Sequence, residues 1–326
     1  MEDRFGRRID YLRISVTDRC NLRCLYCMPA AGIRVKPRAE ILRFEEIIRI
    51  AQVALRLGIN RFRLTGGEPL IRRGILSFIR ALALLPGVKD LSLTTNGTLL
   101  SQMKERLFEA GIRRLNISLD TLNAENYRRL TRGGDFHLVW EGITGALRTG
   151  FHPVKINVVA LRGFNDREWP DFARLTYAYP LHVRFIEIMP VGTSRDLAGR
   201  HFISCSQIKS VLQEIFGDLA PAGEISGSGP ARYFRLPGAL GTVGFIDAVS
   251  NHFCARCNRL RLTADGKLRP CLHDHREVDL RGPLRAGAGD AELEEIFRTA
   301  LLLKPEGYHK AKGAPEGGRG MCQIGG

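Results

Sequence analysis

The sequence has no apolar run approaching about 18 residues, so no segment reads as a membrane-spanning helix. It has no internal repeat, which sets aside solenoids and arrays. The opening stretch Met1–Asp10 carries charges throughout and no apolar centre, so it does not read as a secretory signal, and a cytoplasmic location is expected. Acidic residues are few: 34 Asp and Glu face 49 Lys and Arg, a formal charge of +15. Such an excess points to an anionic partner: a phosphorylated small molecule, nucleic acid or an acidic membrane surface. What is present suits a globular enzyme, with 44% hydrophobic and 25% charged residues, too apolar for disorder. At about 150 residues per domain, 326 residues allow two domains, or one large α/β domain with an extension.

Strand-length apolar runs alternate with helical patterns through the first 190 residues. Strands are predicted at Tyr11–Val16, Arg61–Thr65, Asp90–Thr95, Arg113–Leu119, Val154–Ala160 and Val183–Ile188. An amphipathic helix is predicted over Phe44–Leu57, and Gly58, Gly87, Gly111 and Gly150 mark helix-to-strand returns. Six strands with helical crossovers imply parallel pairing, in a barrel or a doubly wound open sheet. The polar residues Thr65, Asn96, Ser118, Asp120 and Glu187 near the strand ends favour an incomplete TIM-type barrel of six βα units, with its site at that edge. Past residue 190 the texture changes. Ser226–Pro230 reads as a flexible turn, Tyr233–Leu236 and Thr242–Ile246 as short strands, and Ala264-Asp265-Gly266 as a hairpin turn between Leu260–Thr263 and Lys267–Arg269. A last helix is expected at Asp290–Leu303. The expected division is a barrel over 1–190, a smaller C-terminal domain with antiparallel strands over 191–303, and an extended tail over 304–326.

Eight cysteines fall into two groups of three and two singletons. A secreted disulfide scaffold would be shorter and carry a signal peptide. Closely spaced thiolates repel unless a cation joins them, so both triads point to metal. Cys20-Asn-Leu-Arg-Cys24-Leu-Tyr-Cys27 directly follows the first strand. Three thiolates can hold three irons of a cubane cluster and leave the fourth open to a ligand, or bind zinc with a distant fourth partner. Gly66-Gly67-Glu68-Pro69 follows the second strand, where residues without Cβ let a ligand approach the backbone. Cys254, Cys257 and Cys271 form the second triad, which His252, His273 or His275 could complete as a zinc ribbon. Arg259 and Arg261 follow on one strand face with period two, a pairing that suits bidentate phosphate recognition. Cys205 reads as structural and Cys322 as an incidental exposed thiol.

The CxxxCxxC spacing resembles the signature of the radical S-adenosylmethionine (radical SAM) enzymes, and Gly66–Pro69 resembles their GGEP motif. Over nearly the whole chain, ordered matches resemble one family within them, the molybdenum cofactor biosynthesis protein A family of GTP 3′,8-cyclases. They run from Leu12-Arg13-Ile14-Ser15-Val16-Thr17-Asp18-Arg19-Cys20 through Leu93-Thr94-Thr95-Asn96-Gly97, Asn116-Ile117-Ser118-Leu119-Asp120 and Val154-Lys155-Ile156-Asn157 to the terminal Ile324-Gly325-Gly326.

The resemblance implies that Cys20, Cys24 and Cys27 hold a 4Fe-4S cluster, with Tyr26, Gly67, Ser118 and Met189 contacting SAM. It implies that Arg13, Arg63, Thr94, Lys155, Arg259 and Arg261 surround GTP, the last two as catalytic residues that fix the nucleotide. Cys254, Cys257 and Cys271 would hold a second 4Fe-4S cluster facing the guanine base, and the tail bearing Gly325 and Gly326 would enter the active-site opening. By the same resemblance, reductive cleavage of SAM yields a 5′-deoxyadenosyl radical that takes hydrogen from the ribose 3′ carbon. Attack on guanine C8 and reduction then give 3′,8-cyclo-7,8-dihydro-GTP, the first step of molybdenum cofactor (molybdopterin) biosynthesis. Expected partners are GTP, a cellular one-electron donor, the downstream cyclic pyranopterin monophosphate synthase and a second copy in a homodimer, with neither nucleic acid nor membrane. The alternatives are a two-cluster radical SAM enzyme acting on tRNA or peptide, and a zinc-stabilised nucleic-acid-binding protein.

Overall fold

The computed structural model describes residues 1–192, 194–223, 225, 227, 229–308 and 319–325. Parts of two sequence expectations, Ser226 and Ser228 in the turn and Gly326 at the tail, lie outside the described residues.

Six parallel strands, β1 (Tyr11–Ser15), β2 (Arg61–Thr65), β3 (Asp90–Thr95), β4 (Arg114–Ser118), β5 (Val154–Ala160) and β6 (Leu181–Glu187), pair in sequence order. Their bounds match the sequence reading to within about two residues, because each is a β-branched and leucine-rich run bounded by turn residues. The later strands β7 (Ala220–Pro221), β8 (Arg232–Arg235), β9 (Thr242–Ile246), β10 (Arg259–Leu262), β11 (Lys267–Arg269) and β12 (Val278–Asp279) do not build a second sheet. β9 adds parallel to β6 and β10 adds parallel to β1, so the C-terminal segment extends the barrel at both edges. Antiparallel strands then continue outward, β11 and β12 on one side and β8 and β7 on the other. The result is a twelve-stranded, partly closed barrel sheet.

Strand parity explains why this barrel has a usable interior. One face of every central strand is apolar: Leu12 and Ile14, Phe62 and Leu64, Leu115 and Ile117, Val183 and Phe185, and Leu260 and Leu262 are all fully buried in the main core. Helices such as Phe44–Arg56 and Phe136–Thr149 bury their own apolar residues in the same core. The opposite face is polar, and register stacks it into rungs. Arg261, Arg13, Arg63, Ser92 and Arg114 are neighbours across five strands. Thr94, Asn116, Lys155, His182 and Thr242 form a second rung. Barrel interiors are usually filled by branched apolar side chains; here the apolar set faces the helices and the lumen is left to cations and amides.

Glu187, at the end of β6, fastens the C-terminal segment to the barrel. Its fully buried carboxylate accepts from the backbone N–H of Cys205 (3.0 Å), Val249 (2.8 Å) and Ser250 (2.8 Å), and from the Ser250 hydroxyl. Cys205 thus opens the helix Cys205–Phe216 against β6, the structural place expected of it. Replacing Glu187 by Ala removes the acceptor of four hydrogen bonds and should destabilise the protein by about 3–5 kcal/mol, read as a fall in the denaturant midpoint. A midpoint equal to wild type would show that these bonds carry no net stability.

Candidate active site

The two cysteine triads lie at opposite ends of the same strands. Cys20, Cys24 and Cys27 follow the C-terminal end of β1. Cys254 and Cys257 precede the start of β10, which is level with the start of β1, and Cys271 follows the antiparallel β11 back to that end. Between them lies a cavity of ≈ 250 Å³. Tyr26, Ser118 and Met189 line it with Arg13, Arg63, Thr94, Arg259 and Arg261, and the second triad closes one end. The first triad, Gly67 and Gly325 lie outside this lining, as does Lys155, which is buried behind it 5.5 Å from the Tyr233 ring. The site therefore runs along the lumen rather than only at the strand ends.

The loop after β2 is strapped to the first triad. The Gly67 N–H donates to the Thr17 carbonyl (2.8 Å) and the Glu68 N–H to the Arg19 carbonyl (2.8 Å). A Cβ on Gly67 would fall 2.1 Å from the Arg19 carbonyl oxygen, so here the missing side chain lets two protein backbones meet. Glu68 is wholly buried, accepting from Leu70 N (3.0 Å), Asn96 N (2.7 Å) and Thr95 Oγ1 (2.8 Å); burial raises its pKa to about 7. Tyr26, inside the motif, donates to Asp120 Oδ2 (2.6 Å), and Asp120 is in turn held by Val159 N (2.8 Å). Glu68 and Asp120 therefore fix the loops around the first triad.

The triads differ electrostatically. Burial pushes the Cys20 thiol up to about 11 and Cys24 higher still, so ionising this set needs a bound cation. In the second triad burial likewise raises Cys254, but at Cys257 Arg259 and Lys304 outweigh it and bring that thiol down to about 6. A tetrahedral zinc about 2.3 Å from each sulfur would hold its ligands about 3.8 Å apart. Among the described residues neither triad brings three ligand atoms within 4.8 Å of one another, with or without a histidine. His252 and His273 instead pack on the Tyr308 ring, at 5.1 and 5.2 Å. The donor sets suit a wider, polynuclear sulfur-bridged group; the group found within 4.8 Å is Glu187, Cys205 and Asp247, where Glu187 is the carboxylate that fastens β6 and the Cys205 thiol hydrogen-bonds to Asp247.

In the lumen, burial and mutual repulsion bring Arg261 down to about 10, and Arg13 and Arg63 are lowered for the same reasons. Thr94 Oγ1 and Arg184 Nε are buried there without a partner among the described residues, two unsatisfied polar atoms on residues that line the cavity. Arg184 was not singled out in the sequence; it reaches Asn116 and Asn157 from β6, and only the register brings these residues together. The tail also reaches the lumen. Arg261 Nη1 donates to the Gly325 carbonyl (2.7 Å), and Gly325, at φ +77°, lies where a Cβ would come 2.8 Å from Thr65 Cγ2. Its last described residues are not extended: Met321–Ile324 make one helical turn. This corrects the reading of Cys322, which is 2% exposed and hydrogen-bonded to Cys27, because the turn folds its cysteine inward beside buried Ile324.

The description Radical SAM superfamily matches residues 14–176, and Molybdenum Cofactor Synthesis C matches residues 181–310. A GTP 3′,8-cyclase of Moorella thermoacetica is 53% identical over 326 residues, and one of Pelotomaculum thermopropionicum 51%, each covering 100% of both chains. The chain belongs to the GTP 3′,8-cyclase family of the radical SAM superfamily. The fold is shared more widely. Streptococcus suis SuiB bound to S-adenosylmethionine superposes with a TM-score of 0.60 at 14% identity, over 82% of this chain and 61% of that one. Methylornithine synthase gives 0.54 at 19% identity, over 90% and 87%. No helix among the described residues is long and apolar enough to cross a membrane.

The Gly67 geometry makes a direct prediction. Gly67→Ala forces the Thr17–Cys20 backbone away and should destabilise the protein by about 1–3 kcal/mol, the usual range for overpacking. Anaerobically reconstituted variant should also hold clearly less iron than wild type; normal iron and stability would mean the loop relaxes freely.

Proposed function

We propose that this chain converts GTP to 3′,8-cyclo-7,8-dihydro-GTP, using SAM and two 4Fe-4S clusters, one held by Cys20, Cys24 and Cys27 and the other by Cys254, Cys257 and Cys271. The observation that carries the reading is the rung of Arg261, Arg13 and Arg63 at a cavity placed between two three-cysteine sets. When bound, the first cluster supplies the electron that cleaves SAM to the hydrogen-abstracting adenosyl fragment, and an external one-electron donor supplies the cluster.

The chain's own residues do the rest. Tyr26, Gly67, Ser118 and Met189 hold SAM at the C-terminal end of the strands. Arg13, Arg63 and Arg261 bind the triphosphate by charge-assisted hydrogen bonds, with Thr94 and Lys155 beside them and Arg259 near the second triad. Such clamps fix the ribose against the reacting fragment, and a displaced radical would be quenched elsewhere. Gly325, tied to Arg261, brings the tail next to the phosphate-binding cation. The barrel over 1–190 thus handles SAM, and the segment over 191–303 brings the second cluster to the nucleotide. The product passes to cyclic pyranopterin monophosphate synthase.

The deciding assay is anaerobic incubation with GTP, SAM and a reductant, with the cyclised nucleotide identified by mass spectrometry. Arg261→Ala should weaken GTP binding by about 1.5–3 kcal/mol, the range for hydrogen bonds to charged groups, and leave iron content unchanged. Absence of cyclised product from wild type, with both clusters loaded, sinks the assignment.

Lys155 gives a second test. Burial, then Arg184, Arg114 and Arg63, push its pKa down to about 6, so near neutral pH it is largely an uncharged amine. Between about 6 and its ordinary value the unfolded chain holds the extra proton, so this residue makes stability rise with pH across that window. A bound triphosphate favours the charged form. Calorimetry near about pH 7.5, in buffers of different ionisation enthalpy, should show proton uptake on GTP binding that Lys155→Met removes. Equal uptake in the variant would place the titrating group elsewhere.

A further inference from the structure

Lys304 stands two residues beyond the helix Asp290–Leu302 and is 2% exposed. Its Nζ donates to the Arg259 carbonyl (2.8 Å) and to the Pro270 carbonyl (2.8 Å), and lies 3.5 Å from Cys257 Sγ. An ammonium has three protons and no acceptor, so these three partners use it completely. The two carbonyls belong to the segments that carry the second triad: Arg259 is two residues after Cys257, and Pro270 directly precedes Cys271. Arg7, also buried, completes a bracket from the other side, donating to the Cys254 carbonyl (2.9 Å) and to the carbonyls of Pro305 (2.8 Å) and Glu306 (2.9 Å). The chain at 304–306 is thus a clasp on the second triad.

We propose that Lys304 is the positioning residue and counter-charge of the cluster held by Cys254, Cys257 and Cys271, and that it raises that cluster's reduction potential; this rests on the reading that these cysteines hold a redox-active cluster. Two hydrogen bonds to carbonyls would suffice for a structural tie. The third proton faces a thiolate sulfur, where a neutral side chain would serve packing equally well and a buried ammonium carries a desolvation cost. Hydrogen bonds and positive charge at a cluster sulfur favour the reduced form, which carries one more electron. The step is uptake of one electron by the cluster from the external donor. In the cyclisation this would favour electron storage beside the base, at the end of the lumen remote from SAM.

The test uses the full-length protein with both clusters reconstituted. Iron and sulfide counts on wild type come first: a single cluster would overturn the cluster reading and this proposal with it. Redox titration followed by electron paramagnetic resonance then compares wild type with Lys304→Met, the first cluster serving as internal control through its spectral response to SAM. At a potential where half of the second cluster is reduced in wild type, the variant should show at least about a tenfold lower reduced-to-oxidised ratio, or about 59 mV for a one-electron couple. The first cluster should not move. An unchanged second-cluster potential overturns the proposal. Should Lys304→Met lose the second cluster, wild type grown with lysine labelled by ¹⁵N at Nζ decides. Pulsed resonance of its reduced second cluster should show coupling to one lysine nitrogen, and no coupling would overturn the proposal.

Discussion

Like charge held in a buried lumen is the constraint on which the rest of this structure turns. Adjacent strands stand about 4.8 Å apart, and Arg261, Arg13 and Arg63 occupy one rung. At an effective dielectric near 20, unit charges about 5 Å apart repel by roughly 3 kcal/mol. Such a rung survives only where the backbone is fixed by something else. That is the inverted parity of the barrel, whose apolar faces all pack outward beneath the helices and leave the lumen free of any stabilising duty. A polyanion entering the lumen removes a repulsion the empty protein already carries, so part of the binding energy is prepared in the fold.

The same economy of charge separates the two ends. At the C-terminal end of the strands, acids are near the thiols: Asp120 adds to burial in raising Cys24, and Glu68 does so for Cys20. At the other end Arg259 and Lys304 lie beside Cys257 and its thiol falls, while burial still raises Cys254. A cluster in the first environment is hard to reduce and a cluster in the second is easier, other things equal. Such a gradient would suit the proposed chemistry, in which the electron for SAM cleavage arrives at one end and the last electron is handled at the other.

Much of this was legible in the sequence, and the reasons are local. Strands from β1 to β6 announced themselves by short apolar runs between turn residues, and the hairpin at Ala264–Gly266 by its Asp-Gly turn, with Gly266 at φ +79°. Arg259 and Arg261 share a face because the period of a strand is two, and both do line the cavity. The spacing of each triad needs no tertiary information. What escaped depends on pairings far apart in the chain. Arg184 matters only because β5 pairs with β6 in the register that sets it beside Asn157. That β9 and β10 join the two edges of the barrel sheet is a long-range choice that no local pattern records. Lys304 looked like the first residue of a tail and Cys322 like a stray thiol, since neither has a sequence neighbour that reveals what it touches.

Those last two residues show how the chain's end is used. A barrel of six units leaves open edges, and an open edge next to reactive intermediates admits water. Strands β9 and β10 cover both edges, but β10 can lie beside β1 only if the loop that carries Cys254 and Cys257 is held against the N-terminal segment. Arg7 provides that hold, reaching Cys254 and the chain at Pro305 and Glu306 with a single guanidinium, itself fixed by Asp3 at 2.6 Å. At the other end of the lumen Arg319 pairs with Asp265 and Glu277, and Gly325 meets Arg261. The first ten residues therefore brace the second triad and the last described ones lie against the first, so both ends of the chain complete the site.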